Sequence, residues 1–494
     1  MKPSINFRGE RIAHDVYFER YQRSAQALRT LGVREGDVVA LMMKNSPLAL
    51  EFMLAARWIG AMWSAVNWHF KTEEVQYILD NSGAKVFVAD ADLLAGLPGL
   101  QLGRLKAFIA QPEPGQALLS WLALRDATQA SGEPARAPRG PMFYTSGTTG
   151  KPKGILRAPS TPEQVAQGQA VMRHVLGFER GMTALVSAPM YHSAPNSYAI
   201  GVAQESGHLF IEEGFDAERT LQLVEAHRIS HAYLVPTMYV RLLRLPDAVK
   251  RRYDLSSMRF VASTGSPCAP EVKRAMIAWW GPVIHEAYGS SELGYMTRAD
   301  SAEALAKPGS AGKPLPGVQL AICDDEGREL PQGQAGSIYV HQPAYADFNY
   351  IGNPEARQRM ERKGLKTLGD VGYLDEDGYL FIVDRAADLV ISGGVNIYPA
   401  EIEAVLQLMP GVADCAVFGI PDAEFGEALA AVVQPATGKV LDAVQVQSYL
   451  RNRLAGFKVP KVVTFQQEMP REDTGKIFKR KLREPYWAGL ARRI

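Results

Sequence analysis

The residues from Tyr144 to Gly154 read Tyr-Thr-Ser-Gly-Thr-Thr-Gly-Lys-Pro-Lys-Gly. This run holds four aliphatic hydroxyls, three glycines and two lysines, and after Tyr144 its one apolar side chain is Pro152. Hydroxyls and backbone N–H groups on a glycine-rich loop can wrap phosphate oxygens, and lysine supplies the counter-charge. Two familiar phosphate loops do not fit. No Gly-x-Gly-x-x-Gly is present, only two residues separate Gly147 from Gly150, and Pro152 follows Lys151 where a Mg²⁺-binding hydroxyl would stand. The plain alternative is a polar surface loop, so chemistry here requires partners elsewhere in the chain.

Such partners occur in a fixed order. Tyr288-Gly289-Ser290-Ser291-Glu292 combines an aromatic ring, a hydroxyl and a carboxylate. Asp370 lies in Thr367-Leu368-Gly369-Asp370-Val371-Gly372-Tyr373, Arg385 in Asp384-Arg385-Ala386-Ala387-Asp388, and Lys476 in Pro470-Arg471-Glu472-Asp473-Thr474-Gly475-Lys476. Each alone reads equally as a turn with a solvated charge. Together they resemble, over roughly Tyr21 to Arg483, the signatures of the adenylate-forming superfamily: acyl-CoA synthetases, firefly-type luciferases and peptide-synthetase adenylation domains.

The resemblance implies roles for these positions. Thr145, Ser146, Gly147, Thr148, Thr149 and Lys153 would cradle ATP phosphates. Tyr288 would stack on adenine, with Ser266, Glu286, Ala287 and Gly289 beside it. Ser291 would hold the adenylate phosphate, where the family usually has Thr. Glu292 would bind Mg²⁺, and Asp370 and Arg385 would reach the ribose. Lys476 would contact the carboxylate and α-phosphate, offsetting the repulsion between two anions. Ser392, Gly393, Gly394 and Lys458 would lie on the CoA side, although Lys458 reads equally as a solvated lysine. The implied cofactors are ATP, Mg²⁺ and CoA.

The acid is less determined. His192, Tyr198, Tyr233, Val235, Thr264 and Gly289 are the expected walls of an acyl pocket. They are aromatic and apolar without a cationic anchor, which points to a hydrophobic monocarboxylic acid: fatty, aromatic or cyclic. Bacterial acid–CoA ligases are the nearer likeness, through Pro236-Thr237-Met238 and Cys268-Ala269-Pro270-Glu271. His192 gates the pocket or simply packs, and Cys268 receives no role. Two other readings stay open: an enzyme that loads a carrier protein, and a silent nucleotide sensor. Ala387 stands where the family's hinge pivot is usually Asp or Lys.

The elements that must position these residues alternate. Helix 16–31, strand 38–43, a helix opened by Asn45-Ser46-Pro47 and strand 85–89 predict a parallel sheet covered on both faces. Further strands are expected at 183–187, 231–235 and 258–263, and helices at 162–176 and 217–227. Short alternating strands make 312–380 a β-rich subdomain. The expectation is an α/β fold: an N-terminal domain 1–384, a hinge 385–388 and a mobile α+β domain 389–494. Residues 48–66 read as a buried amphipathic helix rather than a membrane span, and 98–138 as a variable surface excursion.

In 494 residues with 47% hydrophobic and 22% charged side chains, a net charge of +1 gives no case for nucleic acid. Three scattered cysteines suggest no disulfide framework. With no signal-peptide core at the N-terminus, a cytoplasmic setting is expected, and a homodimer is left open.

Overall fold

A computed structural model describes residues 3–103, 105–111, 114, 118–145, 152–205, 207–385, 388–392, 395–471 and 477–488, without the side chain of Asn396. The chain forms two compact units, 1–319 with 341–361, and 320–340 with 362–494. It is a mixed α/β protein, as the alternation of elements predicts.

The first unit contains a four-stranded parallel sheet in the order Met62–Ala65, Val38–Met42, Val86–Ala89, Lys106–Ile109. All five residues of Val38–Met42 are buried, the mark of a strand covered on both faces. A larger sheet places Ile284–Ser290, Phe260–Ser263, His231–Tyr233, Thr183–Val186, His208–Ile211 and Ser4–Phe7 side by side and parallel. Gly294–Ala299 pairs antiparallel with Ile284–Ser290 at one end, and Glu10–Ala13 with Ser4–Phe7 at the other. Crossover helices such as Pro162–Leu176 and Ala217–His227 match their expected spans. A third sheet is a small antiparallel one: Phe348–Tyr350, Lys153–Arg157, Tyr144–Thr145.

Two expectations are corrected. Residues 48–66 are not one helix. Helix Pro47–Trp58, capped by the Ser46 hydroxyl on the Ala49 amide, ends before Gly60, whose φ of 72° turns the chain into strand Met62–Ala65. Nor is the helix amphipathic, for nine of its twelve residues are buried. They include Glu51, which accepts from Ser24 at 2.5 Å and pairs with Arg125 at 2.8 Å. Residues 98–138 are not merely a surface excursion. They supply the sheet strand Lys106–Ile109 and the helix Trp121–Ala127, which carries Arg125 and the fully buried Trp121. Both elements are too short, at four and seven residues, to show a period.

The second unit has two sheets. One contains Gln319–Cys323, Gly336–His341, Asp370–Leu374 and Leu380–Arg385, with two short strands at its edge, in agreement with the β-rich texture. The other orders Val395–Ile397, Val390–Ser392, Gly426–Pro435 and Val412–Asp422, with Val462–Phe465 parallel to Gly426–Pro435. Helices Pro399–Gln407, Ala443–Arg451 and Lys479–Trp487 accompany it. Lys479 pairs at 2.8 Å with the partly buried Glu403, whose carboxylate also accepts from the Val417 amide.

The larger sheet carries a stack of rings across its strands. Phe260 lies 3.8 Å from His285, nearly parallel, and 6.1 Å from His231. Burial, with the Arg298 guanidinium bonded to Nδ1 of His285 at 2.7 Å, holds His285 down at about 4. Burial likewise depresses His231 to about 4, with Glu179 opposing and Arg259 assisting. The fold therefore holds the neutral rings, whereas the unfolded chain takes up protons below 6.5. The resulting stability is complete above pH 6.5 and is lost as pH falls towards 4, by on the order of 1–3 kcal/mol per ring. Urea unfolding at pH 7.0, 5.5 and 4.5 should show this loss. His285→Asn, which keeps an acceptor for Arg298 but cannot titrate, should flatten the pH dependence.

Candidate active site

The parallel strands of the larger sheet end on one edge, where open α/β sheets bind ligands. Thr183–Val186 runs into Ser187-Ala188-Pro189-Met190-Tyr191-His192, and His231–Tyr233 into Leu234-Val235. Phe260–Ser263 runs into Thr264-Gly265-Ser266, and Ile284–Ser290 brings Glu286, Ala287, Tyr288 and Gly289 to the same edge. Thus the predicted adenine-side and pocket residues are successive strand ends, although they lie up to a hundred positions apart in sequence.

Gly289 has a packing reason. The ladder to Gly294–Ala299 shifts register between Tyr288 and Gly289, and Gly289 faces Tyr295. A Cβ at 289 would come within 2.6 Å of the Gly294 carbonyl and 3.0 Å of the Tyr295 ring. The tip of this hairpin presents Ser291 and Glu292. There the Leu293 amide donates to the Ser290 hydroxyl at 2.9 Å.

The small antiparallel sheet meets that tip. Residues opposite one another in an antiparallel pair share a face. Thr145 is opposite Lys153, and Tyr350 opposite Ile155, so Thr145, Lys153, Arg157 and Tyr350 stand together. The Thr145 hydroxyl donates to Oε1 of the buried Glu292 at 2.9 Å, and the Tyr350 hydroxyl donates to the same oxygen at 3.2 Å. Lys153 Nζ lies 5.1 Å above the Tyr350 ring. Arg157 grips the tip from behind. Its Nη2 donates to the carbonyls of Ser291 at 2.8 Å and Glu292 at 2.6 Å, and its Nη1 to that of Ala346 at 2.9 Å. Burial lowers the pKa of this guanidinium, with nearby Tyr345, Glu292 and Asp347 opposing the shift. The Ser291 hydroxyl donates to that of Ser193 at 2.9 Å, which ties the tip to helix Ser193–Gln204.

The wall from Ala188 to His192 is fixed by two buried asparagines. Asn45 donates to the carbonyls of Ala188 at 2.9 Å and Glu212 at 3.1 Å, and accepts from the Met190 amide at 2.8 Å. Asn196 donates to the Met190 carbonyl at 2.8 Å. Tyr191 stands edge-on to Trp68, with centroids 4.5 Å apart, and lies 4.3 Å from His192, which precedes helix Ser193–Gln204. Tyr198 and Tyr233 are fully buried, 5.8 Å apart. Thr264 is buried, and Val235 and Ser266 are partly so. The Glu286 carboxylate turns to Lys273, and burial raises its pKa against that pairing. Cys268 is buried and its thiol is pushed up to about 12, consistent with no part in chemistry.

In the second unit, Asp370 and Arg385 are cross-strand partners, and Nε of Arg385 donates to Oδ1 at 3.2 Å. Asp370 is buried, whereas Arg385 is half exposed. Ser392 ends strand Val390–Ser392, and Lys458 pairs with Glu401 at 2.6 Å. The expected site residues Ser146, Gly147, Thr148, Thr149, Gly393, Gly394 and Lys476, and the pivot position Ala387, lie outside the described residues. Sequence reasoning missed Arg157, Tyr350, Asn45 and Tyr295. Arg157 was findable by alternation, two steps along a strand from Lys153.

Among the described residues no group of three or more His, Cys, Asp or Glu could hold a metal ion. A lone buried carboxylate edged by hydroxyls does fit Mg²⁺, which keeps waters and shares substrate phosphates rather than needing an all-protein cage. When bound there, the ion would neutralise phosphate charge and polarise the phosphoryl oxygen.

The AMP-binding enzyme family matches residues 1–347, and its C-terminal domain matches 401–476. A feruloyl-CoA synthase of Amycolatopsis sp is 33% identical over 491 residues, covering 98% of this chain and 96% of the relative. A long-chain-fatty-acid–CoA ligase of Mycobacterium tuberculosis is also 33% identical, covering 94% and 91%. The ATP-bound crystal structure of MatB from Rhodopseudomonas palustris superposes with a TM-score of 0.86 at 31% identity, covering 98% and 96%. Family match, near-full-length relatives and the site's residue types agree: the chain belongs to the AMP-binding enzyme family, as an adenylate-forming acid–CoA ligase working with ATP, Mg²⁺ and CoA.

Proposed function

We propose that the protein activates a hydrophobic monocarboxylic acid (fatty, aromatic or cyclic) in two half-reactions. The acid's carboxylate attacks the α-phosphorus of ATP, giving an acyl-adenylate and pyrophosphate. The CoA thiol then attacks the acyl carbon, giving the thioester and AMP. The observation that carries this reading is the Glu292 carboxylate, buried and held by the Thr145 hydroxyl next to the hydroxyl-rich run. The acid class rests on the aromatic strand ends and on two relatives named for feruloyl and long-chain fatty acids.

In this reading Thr145, Ser146, Gly147, Thr148, Thr149 and Lys153 bind the phosphates. Ser291 binds the adenylate phosphate, and Glu292 holds Mg²⁺. Tyr288, Gly289, Ser266, Glu286 and Ala287 form the adenine side, and Asp370 with Arg385 takes the ribose. A carboxylate can accept two hydroxyls at once, and Arg385 would hold that of Asp370 in orientation. Lys476 bridges carboxylate and phosphate during the first step. Residues 389–494 turn about 385–388 between steps, bringing Ser392, Gly393 and Gly394 to the pantetheine arm, with Lys458 nearby. The setting is cytoplasmic.

The deciding experiment measures pyrophosphate release with MgATP, with and without CoA, over short to long fatty acids, benzoates, cinnamates and a steroid acid. One acid class should turn over, and turnover should require CoA. Turnover that needs a phosphopantetheinylated carrier instead of CoA would point to carrier loading, and no release with any acid would defeat the reading. Lys476→Ala should slow adenylation by about 100-fold or more while a supplied acyl-adenylate still reacts with CoA; equal losses in both halves would reassign it. Arg157→Met leaves three carbonyls without their donor. It should cost on the order of 2–4 kcal/mol of stability and lower kcat/KM for MgATP in the first half-reaction about tenfold or more. Arg157→Lys, lacking the fork, should recover only part.

A further inference from the structure

Tyr350 touches both charged groups that flank the hydroxyl-rich run. Its hydroxyl donates to Oε1 of Glu292 at 3.2 Å, and Lys153 Nζ lies 5.1 Å from its ring centroid. The Thr145 hydroxyl gives Oε1 a second bond at 2.9 Å, and among the described residues Oε2 accepts none. Lys153 and Glu292 carry opposite charge close to one phenol, yet they form no ion pair with each other.

The ring is held independently of both. Strand Phe348–Tyr350 has three residues, and two guanidiniums fix it. Arg357 Nη2 donates to both Asp347 oxygens at 2.9 and 2.8 Å, and its Nε to the Phe348 carbonyl at 3.1 Å. Arg157 holds the Ala346 carbonyl at 2.9 Å. The Ile351 amide donates to the Gly154 carbonyl at 2.9 Å, beside Lys153. Tyr350 itself is 5% exposed and edge-on to Phe348.

Opposite charges in a partly desolvated site attract strongly, and an ammonium on a flexible four-carbon stem moves to a nearby carboxylate unless something else holds it. Such a pair would cancel both charges that phosphate chemistry needs. A phenol offers two different directions: its ring face attracts a cation, and its in-plane hydroxyl donates to an anion. A fixed tyrosine between lysine and glutamate therefore separates them. Phenylalanine would hold the lysine alone, and leucine neither.

We propose that Tyr350 is a positioning residue for the first half-reaction, a spacer that keeps Lys153 for phosphate and Oε2 of Glu292 for Mg²⁺. This rests on the acid–CoA ligase reading, in which those two groups meet MgATP.

The test measures ATP binding with no acid present, so that no turnover occurs. Calorimetry is run in EDTA and in Mn²⁺, with water-proton relaxation reporting the enzyme-bound Mn²⁺. Wild type is set beside Tyr350→Phe, Tyr350→Leu, Lys153→Met and the double variant Tyr350→Leu/Lys153→Met. Tyr350→Phe should weaken MnATP binding about threefold or more and change metal-free ATP binding by less than about twofold. Tyr350→Leu should weaken both, MnATP by about tenfold or more, because Lys153 then pairs with Glu292. With that pair formed, Lys153→Met should cost MnATP binding at least about threefold less in the Leu background than in wild type. A Tyr350→Phe that binds MnATP like wild type overturns the proposal. So does an equal loss with and without metal, the mark of a packing role, and so do Leu and Met losses that simply multiply. Should the Leu variant fail to fold, Tyr350→Phe alone decides. Wild type that binds no ATP under either condition defeats the ligase reading, and this proposal with it; variants unchanged beside a wild type that binds MnATP overturn the proposal alone.

Discussion

A partly buried guanidinium grips three backbone carbonyls, and the geometry around Glu292 follows from that grip. Arg157 fixes the peptide groups of Ser291 and Glu292 from one side, which frees their side chains for the other. Once the tip is held, the Glu292 carboxylate has one place to lie, between the hydroxyls of Thr145 and Tyr350. In its proposed role towards Mg²⁺ the carboxylate gains from such pre-orientation, because no reorganisation is left for the moment of reaction. The same strand supplies Lys153 and Arg157, four residues apart on one face. Two cations thus arise from one local decision, that residues 153–157 be extended.

Charge is handled differently at two of the candidate positions. Beside Glu292, the Arg157 guanidinium is satisfied by carbonyl dipoles and leaves the adjoining carboxylate with hydroxyl partners. At the second, the carboxylate of Asp370 directly accepts from the Arg385 guanidinium, which orients its oxygens. Under the proposed roles, phosphate and metal ask for balanced charge and sugar hydroxyls for a fixed acceptor, and the two residue sets differ accordingly.

Much of this was legible in the letters. Helices Pro162–Leu176 and Ala217–His227 were bounded by Pro, Gly and capping residues, and the apolar strands were too regular to miss. The order of the loop, the Tyr288–Glu292 run, Asp370, Arg385 and Lys476 carried the family resemblance that the relatives bear out. What escaped shares a physical cause. Lys106–Ile109 and Trp121–Ala127 are too short for a period, so their place in the sheet and core is decided by tertiary packing. Gly60 split an apolar run whose composition gave no warning. Tyr295 looked like any strand aromatic, because its importance lies in standing opposite Gly289, a register that only pairing reveals.

Asn45 binds the carbonyl of a residue 143 positions later, and by that bond the wall at Ala188–Met190 hangs from the first sheet. The pocket therefore cannot take shape as the chain emerges in order. Its early part must wait, folded or nearly so, for a segment synthesised much later, and closure of so long a loop is slow. A fragment beginning after Asn45 would retain every strand of the larger sheet except Ser4–Phe7 and Glu10–Ala13 at its end, yet lack the peg that sets the wall's height. Correct placement of this wall is in this sense a checkpoint on the N-terminal part of the chain, for it requires that residues 45 and 188 have met.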